Sequence, residues 1–147
     1  MSHNDIPTAK DLVFQILRTA QSLEQKIEGV LSHCRGISNS EYQILCCLAQ
    51  APRNRLTRVA IARTLYSSPS GITRALKPLE KLGYVVTEKN ERDARQSLAC
   101  LTDGGRELLA DSNAALEELL SPLDQGSLNQ RAYGSLLKEL ARMEKQL

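Results

Sequence analysis

Between residues 56 and 102 the chain carries the start and stop signals of two short helices and a hairpin in one unbroken order, and few folds accept that order. Thr57, just after Leu56, can cap a first helix with Val59, Ala60, Ala62 and Leu65 on its inner side. Ser67-Ser68-Pro69 then turns the chain and restarts it, with Ser68 as N-cap and Pro69 at the first helical position. This second helix is expected to run to about Leu82 and to end at Gly83, a residue suited to the left-handed position after a helix. Pro78 lies inside it, removes one backbone donor and predicts a bend in the last turn. Tyr84–Thr87 and Ser97–Leu101 have strand composition, and the nine residues between them, Glu88 to Gln96, carry Lys89, Arg92 and Arg95. Helix, turn, helix and basic hairpin in this order make a winged helix-turn-helix, whose second helix enters the major groove of DNA.

The charge distribution supports the same destination. The whole chain is nearly balanced at +2, but residues 53–106 hold 11 of the 19 Lys and Arg and 5 of the 17 Asp and Glu, a net charge of +6 that leaves −4 elsewhere. A basic centre between acidic ends fits a phosphate-binding surface held on a separate scaffold.

The ends read as that scaffold. A helix beginning at Thr8, with Asp11 three positions on, resembles a capping box, and Leu12, Val13, Ile16, Leu17, Ala20, Leu23, Ile27, Val30 and Leu31 follow at helical spacing until Gly36. Ser38-Asn39-Ser40-Glu41 is a full capping box opening another helix, with Tyr42, Leu45, Cys46 and Ala49 expected on its core face and Pro52 as its stop. After the hairpin, Thr102 caps a helix with Leu108, Leu109, Leu116, Leu119 and Leu120, expected to end near Pro122. Ser127-Leu128-Asn129-Gln130 reads as one more capping box, opening a helix with Leu136, Leu140, Met143 and Leu147 along one side. Apolar stripes this long exceed what so small a middle domain can cover, which predicts a homodimer through the terminal helices; folding back on the chain's own core is the alternative. The expected division is 1–35 with 104–147 as a helical dimerisation region and 36–103 as the DNA-binding domain. The expected class is therefore mainly α with a small antiparallel β wing.

Several functions are disfavoured. No apolar run approaches the roughly 20 residues of a bilayer span, and the first residues lack the pattern of a secretory leader, so a soluble cytoplasmic protein without membrane contact is expected. The two histidines, His3 and His33, join no acid–base cluster, and no metalloprotease, Walker, GxSxG or dinucleotide motif stands in context, so catalysis is not expected. Cys34, Cys46, Cys47 and Cys100 have no CxxC spacing. A metal site is not supported, and no cofactor is expected. Cys34, beside His33 and Arg35, is the candidate redox thiol, since a sensor thiol needs exposure and a lowered pKa.

The candidate DNA contacts follow from side-chain chemistry. Ser68, Ser70 and Thr73 offer short hydroxyls, Gly71 allows close backbone approach, and the N-terminus of the second helix favours phosphate oxygens. Arg74 and Lys77 share a helical face, and Arg74 suits a bidentate contact to guanine, or else an ion pair with Glu80 or Asp93. Lys89, Arg92 and Arg95 in the wing suit the backbone or a narrow minor groove.

These residues resemble the MarR-type regulators of multiple antibiotic resistance, a family of winged-helix transcription factors. The resemblance is carried by Ser38–Leu48, Leu56-Thr57, Ser67–Arg74, Leu79–Val85, Asp93-Ala94-Arg95 and Leu101–Gly105, in that order. It implies a homodimer on a pseudo-palindromic stretch of double-stranded DNA, usually a repressor. It also implies a small-molecule effector or oxidant, where one is used, at the junction of the dimerisation and DNA-binding parts. Asp93 is implied to hold Arg92 or Arg95 in position. Pro78 departs from the pattern, as does the lack of a cysteine between Thr8 and Ser32, where thiol-sensing members usually keep theirs. A thiol-sensing regulator and a winged-helix protein-interaction module without a DNA target remain the alternatives.

Overall fold

The computed structural model describes residues 6–93, 95–126 and 129–147, with all their side chains except that of Cys34. In chain order these form α1 (Ala9–Arg35), α2 (Asn39–Gln50), a 3-10 turn (Pro52–Asn54), β1 (Arg55–Thr57), α3 (Arg58–Thr64), α4 (Pro69–Lys81), β2 (Val85–Lys89), β3 (Ser97–Leu101), α5 (Asp103–Gln125) and α6 (Gln130–Glu144). The three strands make one antiparallel sheet in the order β1-β3-β2, with Leu56 opposite Ala99 and Val86 opposite Cys100.

The helix starts obey their caps. The Thr8 hydroxyl accepts from the Asp11 N–H, the Asp11 carboxylate accepts from the Thr8 N–H at 2.9 Å, and α1 closes on Gly36 at φ 66°. Hydrogen bonds from Thr8 hold the Asp11 carboxyl below its ordinary pKa. Ser38 and Glu41 cap α2 in the same reciprocal way. The core gathers Leu31 of α1, Ile44, Leu45 and Leu48 of α2, Ile61 of α3, Leu76 and Leu79 of α4 and Val85 of β2, with Leu108, Leu109 and Leu116 of α5 closing one side.

Four sequence expectations are corrected, and one strand is added. The core face of α2 is Ile44, Leu45, Cys47 and Leu48, while Tyr42, Cys46 and Ala49 are only half-buried. That helix is surrounded by α1, α4, α5 and the sheet, so its buried arc is set by several neighbours at once. In α3 the buried residues are Ile61 and Ala62, and Val59 is exposed. Residues 55–57 form a strand that uses the second edge of β3, too short and polar to show alternation. Helix α5 passes through Pro122 to Gln125: the proline lacks the N–H that would reach the Glu118 carbonyl, and the Ser121 hydroxyl donates to that oxygen at 3.0 Å instead. The N-cap of α6 is Asn129, whose side chain accepts from the Ala132 N–H; Ser127 and Leu128, read as the cap region, lie outside the described residues.

Helix α1 packs along α5, whereas α6 has no comparable partner element among the described residues. Leu12, Phe14 and Leu17 of α1 and Leu136 and Leu137 of α6 are each more than half exposed, and Leu140 nearly so. No described helix is long and apolar enough to cross a membrane.

Candidate nucleic-acid interface

Helix α4 is oriented by its own periodicity. Ile72, Leu76 and Leu79 are buried at i, i+4 and i+7, which leaves Ser70, Arg74, Lys77 and Lys81 as an exposed stripe at the complementary spacing. Lys81 was not singled out in the sequence, although its position four residues after Lys77 places it on that stripe. The Ser68 hydroxyl accepts from the Gly71 N–H at 3.1 Å and lies 3.2 Å from the Ser70 hydroxyl, and the Thr73 hydroxyl donates to the Pro69 carbonyl at 2.9 Å. Gly71 has a structural reason beyond DNA approach. A Cβ there would stand 3.1 Å from the hydroxyl oxygens of both Ser67 and Ser68, so its absence makes room for the turn.

In the wing, strand β2 runs further than its composition indicated. Lys89 pairs with Ser97 in the ladder, and the loop is 90–96. The Asn90 N–H donates to the Gln96 carbonyl at 3.1 Å, and the Arg92 N–H to Asn90 Oδ1 at 3.1 Å. Asp93 Oδ1 accepts from the Arg95 N–H at 3.0 Å, and the Asp93 carbonyl from the Gln96 N–H at 2.9 Å. Asp93 therefore grips the backbone of Arg95 rather than its guanidinium. Ala94 lies outside the described residues. Arg92 and Arg95 are exposed, and among the described residues none of Arg74, Lys77, Lys89, Arg92 and Arg95 is in an ion pair.

Glu80, the alternative partner of Arg74, is committed elsewhere. Its carboxylate lies 3.1 Å from Arg58 Nη2 and accepts from the Thr87 hydroxyl. This half-buried junction ties α3, α4 and β2 together, and so fixes the reading helix against the wing. No local pattern announces it, because its partners lie 22 and 7 residues away in sequence. A second long-range tie joins the turn before α4 to α6: the Tyr66 phenol donates to Glu144 at 2.5 Å, and this hydrogen bond pushes the phenol pKa up.

The described thiols are poor sensors. Cys47 and Cys100 are buried, Cys46 is half-buried, and burial raises all three; for Cys100, burial and then a hydrogen bond to Glu88 push the value to about 11. At pH 7 about one Cys100 in 10⁴ is then thiolate, so alkylation by iodoacetamide is expected to be slow in the folded protein and to accelerate as pH rises through 9 and beyond. Mass spectrometry after timed labelling checks this, and rapid modification of Cys46, Cys47 or Cys100 at pH 7 would contradict it. The side chain of Cys34, the sequence candidate, lies outside the described part.

Comparison with known proteins converges on this interface. Residues 35–96 match the model of the MarR family, spanning α2, α3, α4, β2 and the wing loop. The transcriptional regulator AdcR of Streptococcus pneumoniae serotype 2 is 29% identical over 120 residues, covering 80% of each chain. Sco3205, a MarR family transcriptional regulator from Streptomyces coelicolor solved in complex with DNA, is 28% identical with a TM-score of 0.78, covering 98% of this chain and 93% of that one. CouR from Rhodococcus jostii RHA1, solved bound to p-coumaroyl-CoA, shares the fold at 21% identity with a TM-score of 0.79, over 90% of this chain and 91% of that one. The fold and these matches together define a winged-helix transcriptional regulator, not an enzyme. The chain is similar to the MarR family, through that family's model over residues 35–96 and through Sco3205 along nearly its whole length.

Proposed function

We propose that the protein is a double-stranded-DNA-binding repressor that acts as a homodimer on a pseudo-palindromic operator and is released by a small-molecule effector. The observation that carries this reading is the exposed Ser70-Arg74-Lys77-Lys81 stripe of α4 beside a wing whose Lys89, Arg92 and Arg95 are likewise outside any ion pair among the described residues. Unpaired cations on one reading element and one hairpin suit a polyanion. Residues 36–103 form the DNA-binding domain and 1–35 with 104–147 the dimerisation region, supported by the unpartnered apolar faces of α1 and α6. Repression is the direction that the family resemblance implies.

Within this scheme α4 enters the major groove, where Arg74 makes a bidentate contact to a guanine and Ser68, Ser70, Thr73 and Lys77 contact phosphate or base edges. Gly71 keeps the helix entry compact, and Asp93 sets the wing loop so that Lys89, Arg92 and Arg95 meet the backbone or minor groove. An effector suits the cleft of about 380 Å³ between the end of α1, Tyr84 before β2 and the start of α5, lined by Arg35, Tyr84, Gly104, Glu107, Leu108 and Asp111, because it lies where the two regions meet.

Two substitutions separate the roles. Arg74→Ala is expected to cost about 1–3 kcal/mol on the preferred operator and to flatten discrimination among operator variants. Arg95→Ala is expected to weaken binding on all sequences alike and to make the salt dependence shallower by about one unit per protomer. Fluorescence anisotropy across a salt series reads both. Undiminished discrimination in the first variant, or an unchanged slope in the second, would remove the assigned role.

A further inference from the structure

The basic surface does not stop at the wing tip. On the side of the sheet away from α4, the 3-10 turn and β1 face the base of the wing across a cleft of about 530 Å³ lined by Arg53, Arg55, Lys89, Glu91 and Arg92, among others. Strand order places it there: β2 packs on α4, β3 is central, and β1 is the far edge. Arg55 is partly neutralised by Glu88 at 3.4 Å, but Arg53, Lys89 and Arg92 have no ion-pair partner among the described residues, and Glu91 alone opposes them in the lining.

The turn that presents Arg53 is unusual. Arg53 and Asn54 both hold left-handed backbone, at φ 57° and 54°, a conformation that side chains other than glycine adopt rarely and that persists only where the surroundings enforce it. Here they do: the Asn54 N–H donates to the Ala51 carbonyl at 2.9 Å, and the Asn54 amide bridges the Ala49 carbonyl (3.2 Å) and Arg106 Nη1 (3.0 Å). Neither the core nor the ladder needs the Arg53 side chain, which is exposed. Strained backbone that aims an exposed cation into a cleft already lined by three others is the arrangement expected of an anion site.

We propose that Arg53, Arg55, Lys89 and Arg92 form a second phosphate-binding cleft, on the β1 edge of the wing, that holds the sugar-phosphate backbone of duplex flanking the segment read by α4. This rests on the DNA-binding reading above and extends the footprint outward, past the wing. The contact carries no base information and adds affinity through counterion release.

The test uses the full chain and an operator chosen by selection from a random pool, prepared with and without one further helical turn of duplex on each side. Arg53→Gly removes the guanidinium and keeps the turn, since glycine adopts left-handed backbone freely. On the long duplex the variant is expected to show a salt dependence shallower by about one unit per protomer, and on the short duplex to match the wild type. Equal slopes for both proteins on the long duplex, or an equal loss on both duplexes, would overturn the proposal. Titration of the DNA-free protein with inorganic pyrophosphate separates the other source of phosphate. Saturable binding that Arg53→Gly abolishes, with the duplex slopes unchanged, would overturn the DNA assignment in favour of a small phosphorylated ligand. Wild-type protein that binds neither duplex in a salt-sensitive way would overturn the DNA-binding reading as well, a result distinct from the failure of the cleft alone.

Discussion

Phe14→Asp combined with Leu17→Asp is expected to leave the protein monomeric and to lower operator affinity by about 10³-fold or more, toward the level of non-specific binding. Both side chains are more than half exposed on α1, as are Leu136 and Leu137 on α6, a helix with no extensive partner among the described residues. Burying one such leucine or phenylalanine stabilises by about 1.5–3 kcal/mol, so a face of this size has a strong drive to meet a second copy. Aspartates on it would have to be desolvated without partners, and the dimer is lost before the protomer fold. A single protomer then presents one reading helix and one wing, and the added affinity of a second half-site disappears. Sedimentation equilibrium reads the mass, and anisotropy on a selected operator reads the affinity. Circular dichroism is expected to remain unchanged, because neither side chain belongs to the core. A variant that stays dimeric would remove α1 from the interface.

Gly105→Ala is expected to produce the largest loss of stability from a single methyl group. Gly105 is buried in the first turn of α5, where an added Cβ would overlap the Tyr84 carbonyl oxygen and stand 2.6 Å from Leu101 Cδ1. The overlapping atom is backbone and cannot swing aside. It is also held in place: the Thr102 hydroxyl donates between the Gly83 and Tyr84 carbonyls at 2.7 and 3.0 Å and accepts from the Gly105 N–H at 3.0 Å. Overpacking of this kind costs about 1–3 kcal/mol, or more where backbone must move. For a chain of this size that lowers Tm by roughly 5–10 °C. Gly29→Ala is the internal control: a Cβ at Gly29, within α1, meets nothing within 4 Å, so stability is expected to rise by about 0.5–1 kcal/mol. Calorimetry on the pair gives opposite signs if close approach, rather than glycine content, governs these positions. Equal Tm values for Gly105→Ala and the wild type would show that the α5 entry relaxes freely.

Most of the architecture was legible wherever the signal was local. Thr8, Ser38, Thr57, Ser68 and Thr102 cap the helices their spacing announced, because a cap is a contact within three or four residues. The helix-turn-helix and its hairpin were legible for the same reason. What sequence could not supply was long-range. The inner face of α2 depends on neighbours drawn from several elements at once, β1 exists only because β3 has a second edge, and Glu80 gains its partners from α3 and β2. Pro122 misled as a helix stop because a single hydroxyl, Ser121, replaces the missing donor. Of the basic side chains of the candidate interface, Arg74, Lys77, Lys89, Arg92 and Arg95 were legible in the sequence, and Lys81 was missed. Their lack of ion-pair partners among the described residues, and the turn at Arg53 and Asn54 that widens the basic surface, arise only from the tertiary fold.

The most direct test is the affinity of the wild-type protein for duplex DNA as a function of salt, measured by fluorescence anisotropy. If Lys77, Lys89, Arg92 and Arg95 of two protomers each neutralise one phosphate, log K is expected to fall against log salt with a slope of about −7. A slope near zero, or no binding of duplex at low salt, would contradict the assignment of α4 and the wing to DNA.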